Sequence, residues 1–155
     1  MIIEHTFVTT FEGDAALDVA ARLLASFYFE ITARDESILQ ARRGASNAGR
    51  AKNACELPQR VRIEFDRGRI TLAASIEPGR KPKPEHAALM KLLATTMEAY
   101  LCRPAEQDAA RAAWWQLEQK IVSDARRRRL ILKIVLALLL LATFVFIVVA
   151  ATLAR

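Results

Sequence analysis

The C-terminal stretch of this chain constrains its fold and its surroundings more than any other part. From Leu130 to Ala154 the sequence is apolar apart from Lys133, and no side chain from Ile134 to Ala154 is ionisable. At about 1.5 Å per residue such a run forms a helix of ~30 Å, which matches the hydrocarbon core of a bilayer. The rest of the chain has too little apolar surface to cover such a helix on all sides. The sequence therefore predicts one C-terminal transmembrane helix, at residues 130–155.

A basic cluster at the N-terminal end of this run sets the predicted orientation. Basic residues that flank a span stay on the cytoplasmic side, and a long cationic side chain just inside the span reaches back to the headgroups. The predicted topology is a tail anchor with the N-terminus in the cytoplasm and the C-terminus on the far side. The membrane-flanking basic residues are Arg126, Arg127, Arg128, Arg129 and Lys133.

The net charge of +6 is concentrated near this cluster. Residues 104–155 hold 8 Lys and Arg against 4 Asp and Glu, whereas residues 1–103 hold 15 against 13. The basic surplus therefore indicates a membrane boundary rather than a basic face on a domain. Arginine outnumbers lysine 17 to 6 and alanine is abundant. This composition is typical of GC-rich bacterial genomes, so the expected membrane is a bacterial inner membrane.

Residues 1–103 have the pattern of one small cytoplasmic α+β domain. Apolar and polar residues alternate in five segments, which predicts strands. Helical spacing predicts a helix that Asp14 caps and that ends near Ser26, and a second from Glu85 to Arg103. The order β-α-β-β-β-β-α predicts two layers, with an antiparallel-rich sheet covered on one face. The five predicted strands are Ile2–Phe11, Phe27–Arg34, Ile38–Arg43, Arg60–Asp66 and Arg69–Glu77.

The helical spacing of apolar residues in 104–129 predicts a juxtamembrane stalk helix that ends in the basic cluster. Its most informative feature is the pair Trp114-Trp115. Both side chains either pack on the domain or the neighbouring helix, or offer a contact to another protein, since tryptophan is enriched at interaction hot spots. A third alternative places them among lipid headgroups, which requires the helix to lie flat. The candidate partner-contact residues are Trp114, Trp115, Leu117 and Ile121.

The sequence contains no cluster of residues that indicates catalysis or metal binding. The two histidines are far apart, and their positions predict a half-buried sheet residue at His5 and a solvated residue at His86. Cys55 and Cys102 have no CxxC spacing and no neighbouring histidine, so we expect free thiols and no zinc site. The glycines form no phosphate-binding loop. We therefore predict a protein that is not an enzyme, with no metal and no cofactor.

These patterns favour a tail-anchored single-pass protein that acts as a non-enzymatic subunit, adaptor or tether. Its predicted partners are the lipid bilayer and either another protein or a second copy. An alternative is a membrane-anchored domain that holds a lipid or small molecule beneath the second helix. Nucleic-acid binding has little support, because the basic loops contain no interleaved aromatic residues. The sequence identifies no ligand. The alternative pocket would be lined by Phe7, Phe29, Ile31, Val61, Ile63, Phe65 and Leu72.

Overall fold

The structure of the chain, a computed structural model, describes residues 1–45, 49, 51, 53–78 and 81–153, with the side chains of the last helix described as far as Phe144. It confirms the α+β class and the predicted order of elements in the domain. A long C-terminal helix comes after the domain. Short 3-10 helices lie at Ala54–Glu56 and Pro104–Glu106. Two compact units, residues 1–121 and 122–155, divide the chain. The strands and helices are β1 (Ile2–Val8), α1 (Gly13–Ser26), β2 (Glu30–Arg34), β3 (Ile38–Arg43), β4 (Gln59–Asp66), β5 (Arg69–Ile76), α2 (Pro84–Cys102) and α3 (Gln107–Leu153).

The five strands form one antiparallel sheet in the order β1-β5-β4-β3-β2. Its centre is the predicted hairpin of β4 and β5, in which Asp66 pairs with Arg69. The two turn residues, Arg67 and Gly68, have φ angles of 48° and 80°. Positive φ at both positions gives the turn the twist of the flanking strands. The sequence Asp66-Arg67-Gly68 between two alternating segments predicts this hairpin, because glycine readily takes the positive φ of a tight turn. The structure confirms positive φ at Gly68 and adds it at Arg67.

The core lies between one face of the sheet and the helices α1 and α2. Alternate residues of the central strands, such as Ile63 and Leu72, are completely buried on that face, as are Leu89 and Leu93 of α2. The residues between them on β4, such as Arg62, are exposed on the opposite face. The strand period of two therefore divides the sheet into a buried and a solvated side, as predicted.

Two predicted boundaries around α1 are wrong. The helix begins at Gly13 with Glu12 as the N-cap residue, and no side chain caps it, so Asp14 is not the cap. Asp14 instead lies in the first turn, where its negative charge interacts favourably with the helix dipole and stabilises the helix. The second strand begins at Glu30 rather than at Phe27, because Phe27 is the C-cap of α1.

The end of α1 explains why the alternation of aromatic residues gave the wrong start for β2. The Phe29 N–H donates to the Leu24 carbonyl at 2.9 Å, and the Tyr28 N–H donates to the Ala25 carbonyl at 3.0 Å. This pair of bonds is the Schellman motif, which places the residue after the C-cap in the left-handed region. That residue is Tyr28, with φ 62°. Phe27 and Phe29 are buried by this turn and not by a strand.

The second compact unit consists of the remainder of α3. Its large apolar side chains from Leu130 to Phe144 are exposed. Among the residues that the structure describes, no helix combines the length and apolar character needed to cross a membrane. The transmembrane part of the predicted fold is therefore not confirmed. Part of that prediction, namely the side chains of residues 145–153 and the whole of residues 154–155, lies outside the described residues.

Candidate functional site

The candidate site is the surface where the first turns of α3 pack on the α+β domain. Trp114 is completely buried and stacks on Phe27, with ring centroids 4.7 Å apart and planes at 22°. Ile121 is buried as well, whereas Trp115 and Leu117 are half-buried. Two of the four candidate partner-contact residues thus contribute to the domain core. Of these four residues, only Trp115 and Leu117 retain appreciable surface that another molecule can reach.

The aromatic contacts extend from the core to the surface. Trp115 meets the ring of Phe27 edge-on at 5.9 Å and that of Tyr28 at 5.8 Å. Tyr28 is 73% exposed and occupies the left-handed position that glycine normally takes at a helix end. The buried stack therefore ends at the surface in the exposed Tyr28 and the half-buried Trp115.

A buried ion pair lies beside the stacked rings. Arg43 Nη2 is 2.5 Å from Glu118 Oε1, and the two side chains are only 12% and 9% exposed. The Arg43 guanidinium carbon is 5.8 Å from the ring centroid of Phe29 and 5.9 Å from that of Trp114, within cation–π range. Charge and aromatic contacts together hold α3 on the end of β3. Loss of either charge would leave the other buried and uncompensated.

Gln59 is a buried polar residue next to this ion pair. It pairs with Arg43 across β3 and β4, is 1% exposed, and its Nε2 donates to the Cys55 carbonyl at 3.1 Å. Gln59 and Arg43 also line a surface cleft of about 450 Å³. The other arginines of that cleft pair with carboxylates: Arg42 with Glu30 at 2.9 Å and Arg60 with Glu77 at 3.0 Å. Its charges therefore largely cancel, and the cleft has no marked preference for an anion.

Neither cysteine has the environment of a nucleophile. Burial raises the pKa of Cys55 to about 12, and the negative charge of Glu118 adds to this effect. Burial also raises the pKa of Cys102, whose thiol donates to the Val8 carbonyl at 3.0 Å. Both cysteines are free thiols, as expected. Because a reactive cysteine needs a lowered pKa, both thiols are in the state that disfavours attack.

The histidines have different structural roles, and one sequence prediction about them is wrong. His5 is half-buried, as predicted, and its Nε2 hydrogen-bonds Glu98 Oε2 at 2.7 Å. This bond, followed by the contact with Arg103, holds the pKa of Glu98 below its usual range. His86 is 3% exposed rather than solvated, and its Nδ1 accepts the Lys83 N–H at 3.2 Å at the start of α2. Burial lowers its pKa.

No group of described residues offers three His, Cys, Asp or Glu side chains arranged to hold a metal ion. The predicted membrane-flanking residues lie in the second unit, where their side chains are exposed. They are Arg126, Arg127, Arg128, Arg129 and Lys133.

Sequence reasoning missed the pairing of Arg43 with Glu118, because nothing local marks two residues so far apart as partners. The contacts described above position α3 and the start of α2. Comparison with known proteins adds no family: no family model matches the chain, and no curated protein matches it.

Proposed function

We propose that this chain is a tail-anchored membrane protein whose α+β domain acts as a non-enzymatic adaptor or subunit at the cytoplasmic surface. One observation carries the proposal. Large apolar side chains from Leu130 to Phe144 are 46–68% exposed, on a helix whose sequence stays apolar to Ala154. Removing a large apolar side chain from water is worth about 1.5–3 kcal/mol. A run of such residues therefore favours an apolar environment outside the chain, and a bilayer supplies one.

The basic cluster supports the orientation of this anchor. Arg126 to Arg129 directly precede the apolar run and are exposed. Each basic residue near an anionic leaflet contributes roughly 1 kcal/mol of attraction. Since basic flanks remain on the cytoplasmic side, the domain before the cluster is placed there too.

The packing of α3 supports the role of a tether. Trp114 and the Arg43–Glu118 ion pair fix the start of the helix to the domain. A membrane that holds the later part of α3 then holds the domain as well. The contacts that hold α3 on the domain are packing contacts, which suits an adaptor. The alternative of an enclosed lipid pocket is less favoured, since Ile63 and Leu72 are fully buried in the core.

Membrane extraction of the full chain tests the proposal. Wild-type protein should stay in the membrane pellet after carbonate washing and dissolve in mild detergent. Substitution of Leu138 and Leu141 by arginine should release it, because each central arginine costs about 2.5–3.5 kcal/mol on insertion. The matched control substitutes Gln116 and Gln119, two exposed residues of α3 before the basic cluster, by arginine. It should remain in the pellet. Wild-type protein in the carbonate supernatant would refute the anchor.

A further inference from the structure

The two edges of the sheet differ in their protection against pairing. β2 is five residues long, and its register with β3 shifts between Ile31 and Ala33. Short length and a bulge are devices that keep an edge strand from adding further strands. β1 is seven residues long, keeps one regular register with β5 from Ile2 to Val8, and contains neither proline nor lysine. It therefore has the geometry of an edge that accepts another strand.

The hydrogen-bond pattern shows which peptide groups of β1 face the open edge. The Ile76 N–H donates to the Met1 carbonyl at 3.0 Å, and the Thr9 N–H donates to the Gly68 carbonyl at 2.9 Å. Because bonding alternates along an antiparallel strand, the odd-numbered residues of β1 bond β5. The even-numbered residues direct their N–H and C=O groups away from β5. Of these groups, the Val8 carbonyl accepts the Cys102 thiol, which is a weak donor.

The same even-numbered residues carry the exposed side chains of β1. Ile2 is 68% exposed and Val8 is 71% exposed. Together with Tyr28, they are the exposed large apolar residues among the described residues of the first unit. Ile2 and Val8 are equally far from His5 along the strand. Their arrangement about His5 matches a two-fold axis.

We infer that β1 binds β1 of a second copy of this chain, antiparallel, with His5 on the two-fold axis. In this register Ile2 lies opposite Val8 of the second copy, and Glu4 lies opposite Thr6. All these residues are even-numbered, so the peptide groups at the open edge meet partners. The interface is isologous and extends one sheet across both copies.

Other registers fit less well. A shift that places Glu4 on the axis brings Glu4 opposite Glu4, and like charges directly opposite each other destabilise a sheet. A shift that places Thr6 on the axis leaves Ile2 without an opposite residue. A shift by one residue turns the side chains of the second copy to the other face and directs its bonding groups away. The register about His5 is the one that pairs both exposed apolar residues.

This inference names the protein partner of the proposed adaptor as a second copy, and it rests on the adaptor role but does not require the anchor. The full chain in mild detergent should form a concentration-dependent dimer in analytical ultracentrifugation. Ile2→Lys should raise the dissociation constant at least about tenfold, since it replaces the apolar pair with Val8 of the second copy by an edge lysine that no carboxylate faces. Thr71→Lys is the matched control, because Thr71 faces the same side of the sheet from β5, which is not an edge strand. A monomeric wild type, or equal effects of the two substitutions, would overturn the inference.

Cysteine cross-linking tests the register and separates the two proposals. In a Cys55→Ser, Cys102→Ser background, His5→Cys should give an oxidised dimer, while Glu4→Cys and Thr6→Cys should give little. No cross-link at His5, or stronger cross-links at Glu4 or Thr6, would contradict the register. If carbonate washing releases the protein from the membrane but the cross-link at His5 still forms, the anchor is refuted and the pairing of β1 is not. If the protein stays in the pellet after carbonate washing but no cross-link forms at His5, the pairing of β1 is refuted and the anchor is not.

Discussion

Replacing Trp114 by alanine tests whether the start of α3 belongs to the domain core. The side chain has no exposed surface and stacks on Phe27 at 4.7 Å. Truncation of a buried tryptophan typically costs about 3–5 kcal/mol through lost burial and the cavity that remains. The close stack and the nearby Arg43 guanidinium place this site toward the upper part of that range. For a chain of this size, each kcal/mol of lost unfolding free energy lowers the midpoint of thermal unfolding by about 2–4 °C, so we expect this midpoint to fall by ~10 °C or more.

Urea unfolding of the full chain in mild detergent measures the change in unfolding free energy, and thermal unfolding measures the midpoint, both followed by far-ultraviolet circular dichroism. Trp115→Ala is the matched control, because Trp115 is half-buried and meets its neighbours only edge-on. We expect it to cost about 1 kcal/mol. If Trp114 were instead free to contact a partner, its removal would change the unfolding free energy by less than about 0.5 kcal/mol. That result, or equal effects of the two substitutions, would refute the described packing.

Three further predictions concern single residues of the domain. Gly44→Ala should lower the unfolding free energy by about 2 kcal/mol or more in urea titration, because Gly44 has φ 96° and an added Cβ would lie 2.1 Å from the Leu57 carbonyl oxygen. The pKa of Glu98 is lowered chiefly by its hydrogen bond with His5. The ionised Glu98 therefore stabilises the fold above its unfolded pKa of about 4.3, and this contribution is lost as pH falls through the folded pKa. Acid titration should thus show a flatter stability profile below pH ~4.3 for Glu98→Gln than for wild type. In a Cys102→Ser background, Cys55, with its pKa raised to about 12, should react with a thiol reagent at neutral pH only as fast as the domain unfolds. Rapid labelling of this folded variant would contradict the burial of Cys55.

The sheet could largely be predicted from sequence, because period-two alternation is a local signal that burial on one face imposes. Strand β3 was predicted with its observed bounds, Ile38–Arg43, and Gly68 marked the central hairpin. The start of β2 was predicted wrongly, since Phe27 and Phe29 continue the alternation while the backbone forms a helix cap. A Schellman turn at Tyr28, where glycine is usual, gives no sequence signal of this kind.

The candidate site was less predictable, because its contacts join residues far apart in the chain. Arg43 was predicted only as the last residue of a strand, and Glu118 only as part of the stalk helix, yet they form a buried pair. His86 has the sequence context of an exposed first helical turn, and only the packing of α2 on the domain buries it. The choice between core and contact surface for Trp114 likewise depended on where Phe27 lies.

The sequence by itself determined the class of the fold, the order of its elements and the apolar character of its C-terminal run. Alternation, helical spacing and the absence of charge are properties of neighbouring residues, so they can be read along the chain. Tertiary structure decided which side chains become partners: Trp114 with Phe27, and Arg43 with Glu118. It also decided that β1 and β2 are the two edges of the sheet and which peptide groups of β1 face away from β5, since strand order and hydrogen-bond direction exist only once the sheet has formed.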